Sequence, residues 1–143
     1  MNNLSADRFK PGEYFILPKK LFQLDLKNPE IAIYAYLMRL ENRQTYQCWP
    51  SYRAIGKAVG IKHNDTVMKY VRSLEEKCLI YTEPTTVHTA SGKHWNGNLR
   101  YTIRPIEDAW EHHQRVQMEE NSLKLAKLKA EERTKKRKGK GGV

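Results

Sequence analysis

Cys48–Ile61 reads CWPSYRAIGKAVGI and, after Lys62-His63-Asn64, Asp65–Ile80 reads DTVMKYVRSLEEKCLI. Ser51 after Pro50 is a good N-cap. Ile55, Ala58 and Val59 then form the apolar stripe of a two-turn helix, which Gly60 can end with a positive φ. A second helix is predicted to start at Asn64 or Asp65, either of which can cap it, and to run to about Cys78. In it Val67, Val71, Leu74 and Cys78 recur at i, i+4, i+7 and i+11, a single narrow stripe. At ~100° per residue the opposite face carries Asp65, Lys69, Arg72, Ser73 and Glu76, flanked by Thr66 and Tyr70. Two short helices across a tight turn, the second packed on one face and polar on the other, suit insertion into a DNA major groove.

The flanking sequence fits the same plan. Glu13–Leu17 (EYFIL) is a short apolar run expected to be a strand. Pro18 permits a helical turn over Lys19–Leu24. Asn28-Pro29 looks like an N-cap followed by proline at the first helical position. The helix from there has Ile31, Ile33, Tyr34, Ala35, Leu37, Met38 and Leu40 over more than half its circumference, so it belongs at the centre of the core. Thr45–Trp49 suits a short strand, with Trp49 expected in the core. Leu79–Thr86 and Leu99–Arg104 alternate as the strands of a hairpin whose tip is Thr89–Asn98. Trp95 in that tip either folds back on the domain or touches a partner. Pro105 ends the hairpin. Glu107–Arg133 is helix-compatible with Trp110 docking on the domain, and beyond Trp110 it is either a solvated helix or a dimerising one. The expected organisation is a flexible N-terminus (1–12), a winged helix-turn-helix (13–105), a C-terminal helix (106–133) and a disordered basic tail (134–143). The fold class is α+β and mostly helical.

Candidate DNA-binding residues follow from this placement. Lys62, His63, Asn64, Asp65, Thr66 and Lys69 lie at the N-terminal end of the second helix, with Arg72 and Ser73 further along the same side; Asp65 serves equally as a cap. Arg53 and Lys57 on the shorter helix can reach phosphates, as can free N–H groups at its start, around Ser51 and Tyr52. Lys93, His94 and Arg100 put charge on or beside the hairpin tip.

CWPSYRAIGKAVGI with DTVMKYVRSLEEKCLI resembles the winged helix-turn-helix family of bacterial plasmid and mobile-element replication initiators and related phage or transposon regulators. The upstream YFILPKKLF and IAIYAYLMRL are similar to that family's opening segment, so the resemblance spans about residues 13–105. It implies that Pro50-Ser51 opens the first helix of the motif, Thr66-Val67 begins the recognition helix, and Leu74-Glu75-Glu76-Lys77 leads into the wing. Cys78 stands where the family pattern usually has glycine, and the turn IKHND is one residue longer than usual.

Composition narrows the remaining classes. The chain has 143 residues and a formal net charge of +10. Nine basic residues between Lys124 and Lys140, against Glu131 and Glu132, supply +7 of it, so net charge alone says little about the folded part. Cys48 and Cys78 form no CxxC motif and suit reduced thiols. Met1–Lys10 lacks a signal-peptide h-region, and no apolar run approaches a membrane span, so a cytoplasmic, nucleoid-associated protein is expected. No metal site, cofactor, small-molecule substrate or catalytic constellation is expected: the adjacent His112 and His113 point ~100° apart on a helix, and there is no phosphate-cradling glycine loop or Ser/His/Asp arrangement. The function implied is sequence-specific binding of double-stranded DNA, with a homodimer left open. That binding serves transcription or replication initiation in a bacterial mobile element. The alternative is a winged-helix protein-interaction module whose basic tail binds nucleic acid nonspecifically.

Overall fold

The computed structural model describes residues 8–140. A one-turn 3₁₀ helix at Lys19–Gln23 precedes α1 (Asn28–Leu40), β1 (Gln47–Cys48), α2 (Tyr52–Val59), α3 (Asn64–Glu76), β2 (Ile80–Glu83), β3 (Thr86–His88), β4 (His94–Asn96), β5 (Arg100–Ile103) and α4 (Ile106–Lys140). This is an α+β winged helix-turn-helix with a C-terminal helix. β1, β5 and β2 form one antiparallel sheet with β5 in the middle, and β3 and β4 form a separate two-stranded ladder.

The core lies between α1, α2, α3 and the inner face of the larger sheet. Ile33, Tyr34 and Leu37 of α1 meet Ile55 of α2, Val67, Val71 and Leu74 of α3, and Tyr101 of β5, all essentially inaccessible to water. Each such side chain contributes roughly 1.5–3 kcal/mol of transfer free energy. In β5 the buried Tyr101 and Ile103 alternate with Arg100 and Thr102, as a sheet with one covered face requires. Register is set by Ile80 opposite Ile103 and Cys48 opposite Tyr101. Burial pushes the Cys48 thiol up to about 12, with the Glu41 carboxylate adding to the effect.

Several expectations are corrected. Glu13–Leu17 is not a strand: it runs without a ladder partner, and Phe15 and Ile16 wall a surface groove instead. Trp49 is not core but half exposed, at the end of the edge strand β1. The tip expected over Thr89–Asn98 is shorter, because His94–Asn96 pairs with Thr86–His88 through a Val87–Trp95 cross-strand contact. Only Thr89–Lys93 is turn, closed by the Thr89 N–H bond to the Lys93 carbonyl at 3.1 Å. All six residues of this outer ladder are exposed, so Trp95 does not fold back on the domain. The C-terminal helix does not stop at Arg133 but continues to Lys140. Its basic residues are good helix formers, and Thr134 Oγ1 donates to the Ala130 carbonyl across the expected boundary. Residues 134–140 are therefore helical. Residues 1–7 of the expected flexible N-terminus and 141–143 of the expected tail lie outside the described residues.

The ends of α3 also differ from expectation. Its N-cap is His63, not Asn64 or Asp65, and no side chain closes it. At the other end Cys78 has left the helix with φ of +63°. The Cys78 N–H meets the Glu75 carbonyl at 3.1 Å and the Leu79 N–H meets that of Leu74 at 3.0 Å, the Schellman pattern. Cys78 thus does the work of the glycine that the resemblance leads one to expect, at the steric cost of a Cβ in the left-handed region.

Candidate nucleic-acid interface

Helix α2 and its packing on α3 are set by a serine and two glycines. Ser51 Oγ accepts the Ala54 N–H at 3.0 Å and so starts α2. Gly60, with φ of +79°, ends it, and the Gly56 carbonyl accepts the Ile61 N–H at 2.8 Å. Gly56 is buried because the chain passes directly over it: a Cβ there would stand 2.5 Å from the Ile61 carbonyl oxygen and 3.3 Å from Val67 Cγ2. That close approach fixes how α2 crosses α3.

The roll of α3 about its axis decides which residues it presents. Val67, Val71 and Leu74 face the core. Asp65, Lys69, Arg72 and Glu76 are exposed on the opposite side. A polar lock enforces this roll. Glu30, at the start of α1, is fully buried. Its carboxylate accepts the Lys27 N–H at 3.0 Å, the Ser73 hydroxyl at 2.8 Å, and the Lys77 ammonium at 3.0 Å and 2.9 Å. Burial by itself raises the Glu30 pKa. The hydrogen bonds from Lys77, Lys27 and Ser73 and the Lys77 charge outweigh it and hold the carboxyl below its ordinary value.

This lock ties up the Ser73 hydroxyl in a hydrogen bond to Glu30, although Ser73 still lines the groove on the outer face of α3. Arg100 is reassigned. It sits in β5, away from the Thr89–Lys93 tip, ion-paired to Glu83 directly across the ladder on β2. Tyr52 is half-buried against the core, which leaves its backbone at the helix start rather than its ring for a partner. Thr66 is half-buried. Ser51 uses its hydroxyl as a cap.

Arg53, Lys57, Lys62, His63, Asn64, Asp65, Lys69 and Arg72 are exposed together along α2, the turn and α3. A shallow groove on this face is lined by Asp65, Met68, Lys69, Arg72, Ser73 and Glu76. Met68 escaped the sequence reading, although its spacing of three from Asp65 and four from Arg72 places it on the rim. Lys69 Nζ rests 5.5 Å from the centre of the Tyr70 ring. Lys93 ends the turn of the wing and His94 opens β4 on the outer ladder, where His94 Nδ1 lies 2.5 Å from His88 Nδ1, so one of the two rings supplies the shared proton. Asn98 Nδ2 donates to the Trp49 carbonyl at 3.2 Å, tying the base of the wing to the strand that leads into α2. Across α2, α3, their turn and the wing tip, the exposed Arg53, Lys57, Lys62, Lys69, Arg72 and Lys93 outnumber the exposed Asp65 and Glu76, and the third carboxylate, Glu75, is half-buried and bonded to Thr82.

Residues 24–80 match the family model described as a helix-turn-helix domain. The matched helix-turn-helix segment takes in α1, α2 and α3 and stops as β2 begins. Among solved structures, one chain similar in fold is described as a "possible transcriptional regulator" from Methanosarcina mazei Go1. It is 17% identical, with 75% of this chain and 80% of that one covered and a TM-score of 0.49. No curated protein matches the sequence. Among the described residues no three His, Cys, Asp or Glu side chains are grouped to hold a metal ion, and no helix is long and apolar enough to cross a membrane.

Proposed function

We propose that this chain binds double-stranded DNA, with the exposed face of α3 in the major groove, Arg53 and Lys57 on adjacent phosphates, and Lys93 of the wing on the neighbouring backbone. The roll of α3 carries the reading: its apolar stripe is wholly buried, and Lys69 and Arg72 are turned outward on a helix-turn-helix. Lys62, His63, Asn64 and Asp65 stand at the end of α3 that would enter deepest. The chain acts by binding, without catalysis, as a regulator of transcription. The setting in a bacterial mobile element, with replication initiation as its other outlet, is supported by the resemblance over residues 13–105. The C-terminal half of α4 adds salt-sensitive attraction for any duplex.

Lys69→Ala and a truncation before Lys124 test this together, each titrated with salt on a selected and a scrambled duplex. A base contact by Lys69 is worth about 1–3 kcal/mol of preference for the selected duplex, whereas a phosphate contact weakens both equally. With about 6 phosphates neutralised, the log–log salt slope of the full chain is near −5 and becomes shallower without residues 124–143. If all binding disappears with those residues, α3 is not a DNA reader and the chain is an interaction module with a basic arm.

A further inference from the structure

The wing brings two imidazoles together. His88 in β3 stands directly opposite His94 in β4. The Thr89 N–H bonds the Lys93 carbonyl, and the Gly97 N–H bonds that of Thr85. Hydrogen-bonded pairs recur at every second position of an antiparallel ladder, so Thr89/Lys93, Val87/Trp95 and Thr85/Gly97 occupy them. His88/His94 is then a non-hydrogen-bonded pair, the kind in which facing side chains come closest. The rings meet edge to face at 85° with centroids 4.5 Å apart, and their Nδ1 atoms converge to 2.5 Å. Both residues are open to solvent. Six positions separate them in sequence, so the pair exists only because the hairpin folds it together.

Imidazole nitrogen is a ligand that first-row transition ions such as Zn²⁺, Ni²⁺ and Cu²⁺ favour. Two nitrogens bound to Zn²⁺ at the tetrahedral angle stand about 3.3 Å apart. The rings would have to part by only about 0.8 Å to reach that spacing, a small rotation for exposed side chains. One ring already offers a bare Nδ1 lone pair. The other moves its proton from Nδ1 to Nε2, which frees Nδ1 with no net proton released. No Asp or Glu occurs between Thr85 and Leu99, so a hard cation such as Mg²⁺ finds no carboxylate there. Lys93, beside His94 in the chain, opposes any cation held by charge alone. Coordination by nitrogen has to carry the binding.

We propose that His88 and His94 bind one divalent transition-metal ion of the Zn²⁺ class through their Nδ1 atoms, with water completing its shell. The ion clasps β3 to β4. A two-stranded ladder on its own is marginally stable in water, and no residue of β3 or β4 is buried. An ion that binds only the paired form stabilises that form. The inference stands whether or not α3 reads DNA.

The probe is Zn²⁺ alone, with Mg²⁺ as control, titrated into the full chain at pH ~7.5, where imidazole with its ordinary pKa of ~6.5 is neutral. The ring C–H signals of the five histidines are followed by NMR. Those of His88 and His94 should shift together and saturate at one ion per chain before His63, His112 or His113 moves, and Mg²⁺ should shift none of them. Exchange of the Thr89 and Gly97 amide protons requires the ladder to open. At free Zn²⁺ about ten times its Kd that exchange should slow about tenfold. His88→Ala and His94→Ala each remove half of the protein's ligands, so each should weaken binding at least about tenfold and abolish the protection. Unchanged His112 and His113 signals establish that both variants are folded. Zn²⁺ that settles first at His63, His112, His113 or Cys78, an equal response to Mg²⁺, undiminished binding by either variant, or amide exchange that Zn²⁺ leaves unchanged overturns the proposal.

Discussion

Replacing Glu30 by glutamine tests the lock that sets the roll of α3. The substitution keeps shape and volume but removes the charge. The glutamine oxygen can still accept from the Lys27 N–H, and its amide can donate to Ser73 Oγ. The amide then has only protons to offer the Lys77 ammonium, which contacts both carboxylate oxygens in the native chain. Lys77 is itself 36% exposed and regains water, so its release costs less than that of a buried cation. The net loss is that of charge-assisted bonds in a buried site, about 2–4 kcal/mol. For a folded core of ~100 residues this lowers Tm by roughly 8–16 °C. Thermal unfolding followed by circular dichroism measures it, and pH provides the internal control. The Glu30 pKa is lower folded than unfolded, so its stabilisation is complete above the ordinary carboxylate pKa of ~4.3 and fades as pH falls through the depressed value. The gap between native chain and variant should therefore be wide at neutral pH and close in acid. A Tm difference under ~2 °C at neutral pH, or a gap that does not narrow as the pH is lowered, would refute the reasoning.

Other substitutions follow from the backbone. Cys78→Gly removes a Cβ from a left-handed position and should stabilise by about 0.5–1 kcal/mol, seen as a Tm raised by a few degrees; a lower Tm would mean that the Cys78 side chain packs more than its half-exposure suggests. Gly56→Ala drives a methyl into the Ile61 carbonyl and should destabilise by about 1–3 kcal/mol in chemical denaturation, whereas a neutral result would mean that α2 and α3 can separate freely. An aromatic disulfide reagent should modify the half-exposed Cys78 in the native chain and Cys48 only on unfolding, counted by mass spectrometry. Rapid modification of both thiols would place Cys48 outside the core.

How much of this was legible before the structure depends on the range of the interaction. The Ser51 cap, the Gly60 stop and the Val67/Val71/Leu74 stripe are local, and each shows in a few residues of sequence. The Glu30 lock is not local. Its partner Ser73 is 43 residues away, and nothing in the polar pattern of α1 distinguishes the one buried carboxylate from a solvated one. The sequence shows Ser73 on the outward face, whose groove it does line, but not that its hydroxyl is taken by Glu30. Arg100 misled for a similar reason: its place beside the tip was visible, but its partner Glu83 depends on strand register. The outer ladder was missed because HWN lies between glycines, and only the Val87–Trp95 pairing makes it a strand. Glu13–Leu17 shows the opposite error. Of its apolar side chains only Leu17 packs against the core while Tyr14, Phe15 and Ile16 stay exposed, and ladder pairing cannot be inferred from apolarity alone.

The central claim is that α3 reads duplex sequence. Selection from a random duplex library by the full chain at ~150 mM salt, repeated with the Lys69→Ala/Arg72→Ala variant, tests it most directly. The account predicts an enriched motif of several base pairs with the native chain, lost or degraded in the variant, while both unfold at the same temperature. No enrichment with the native chain, or the same motif recovered with the variant, would contradict it.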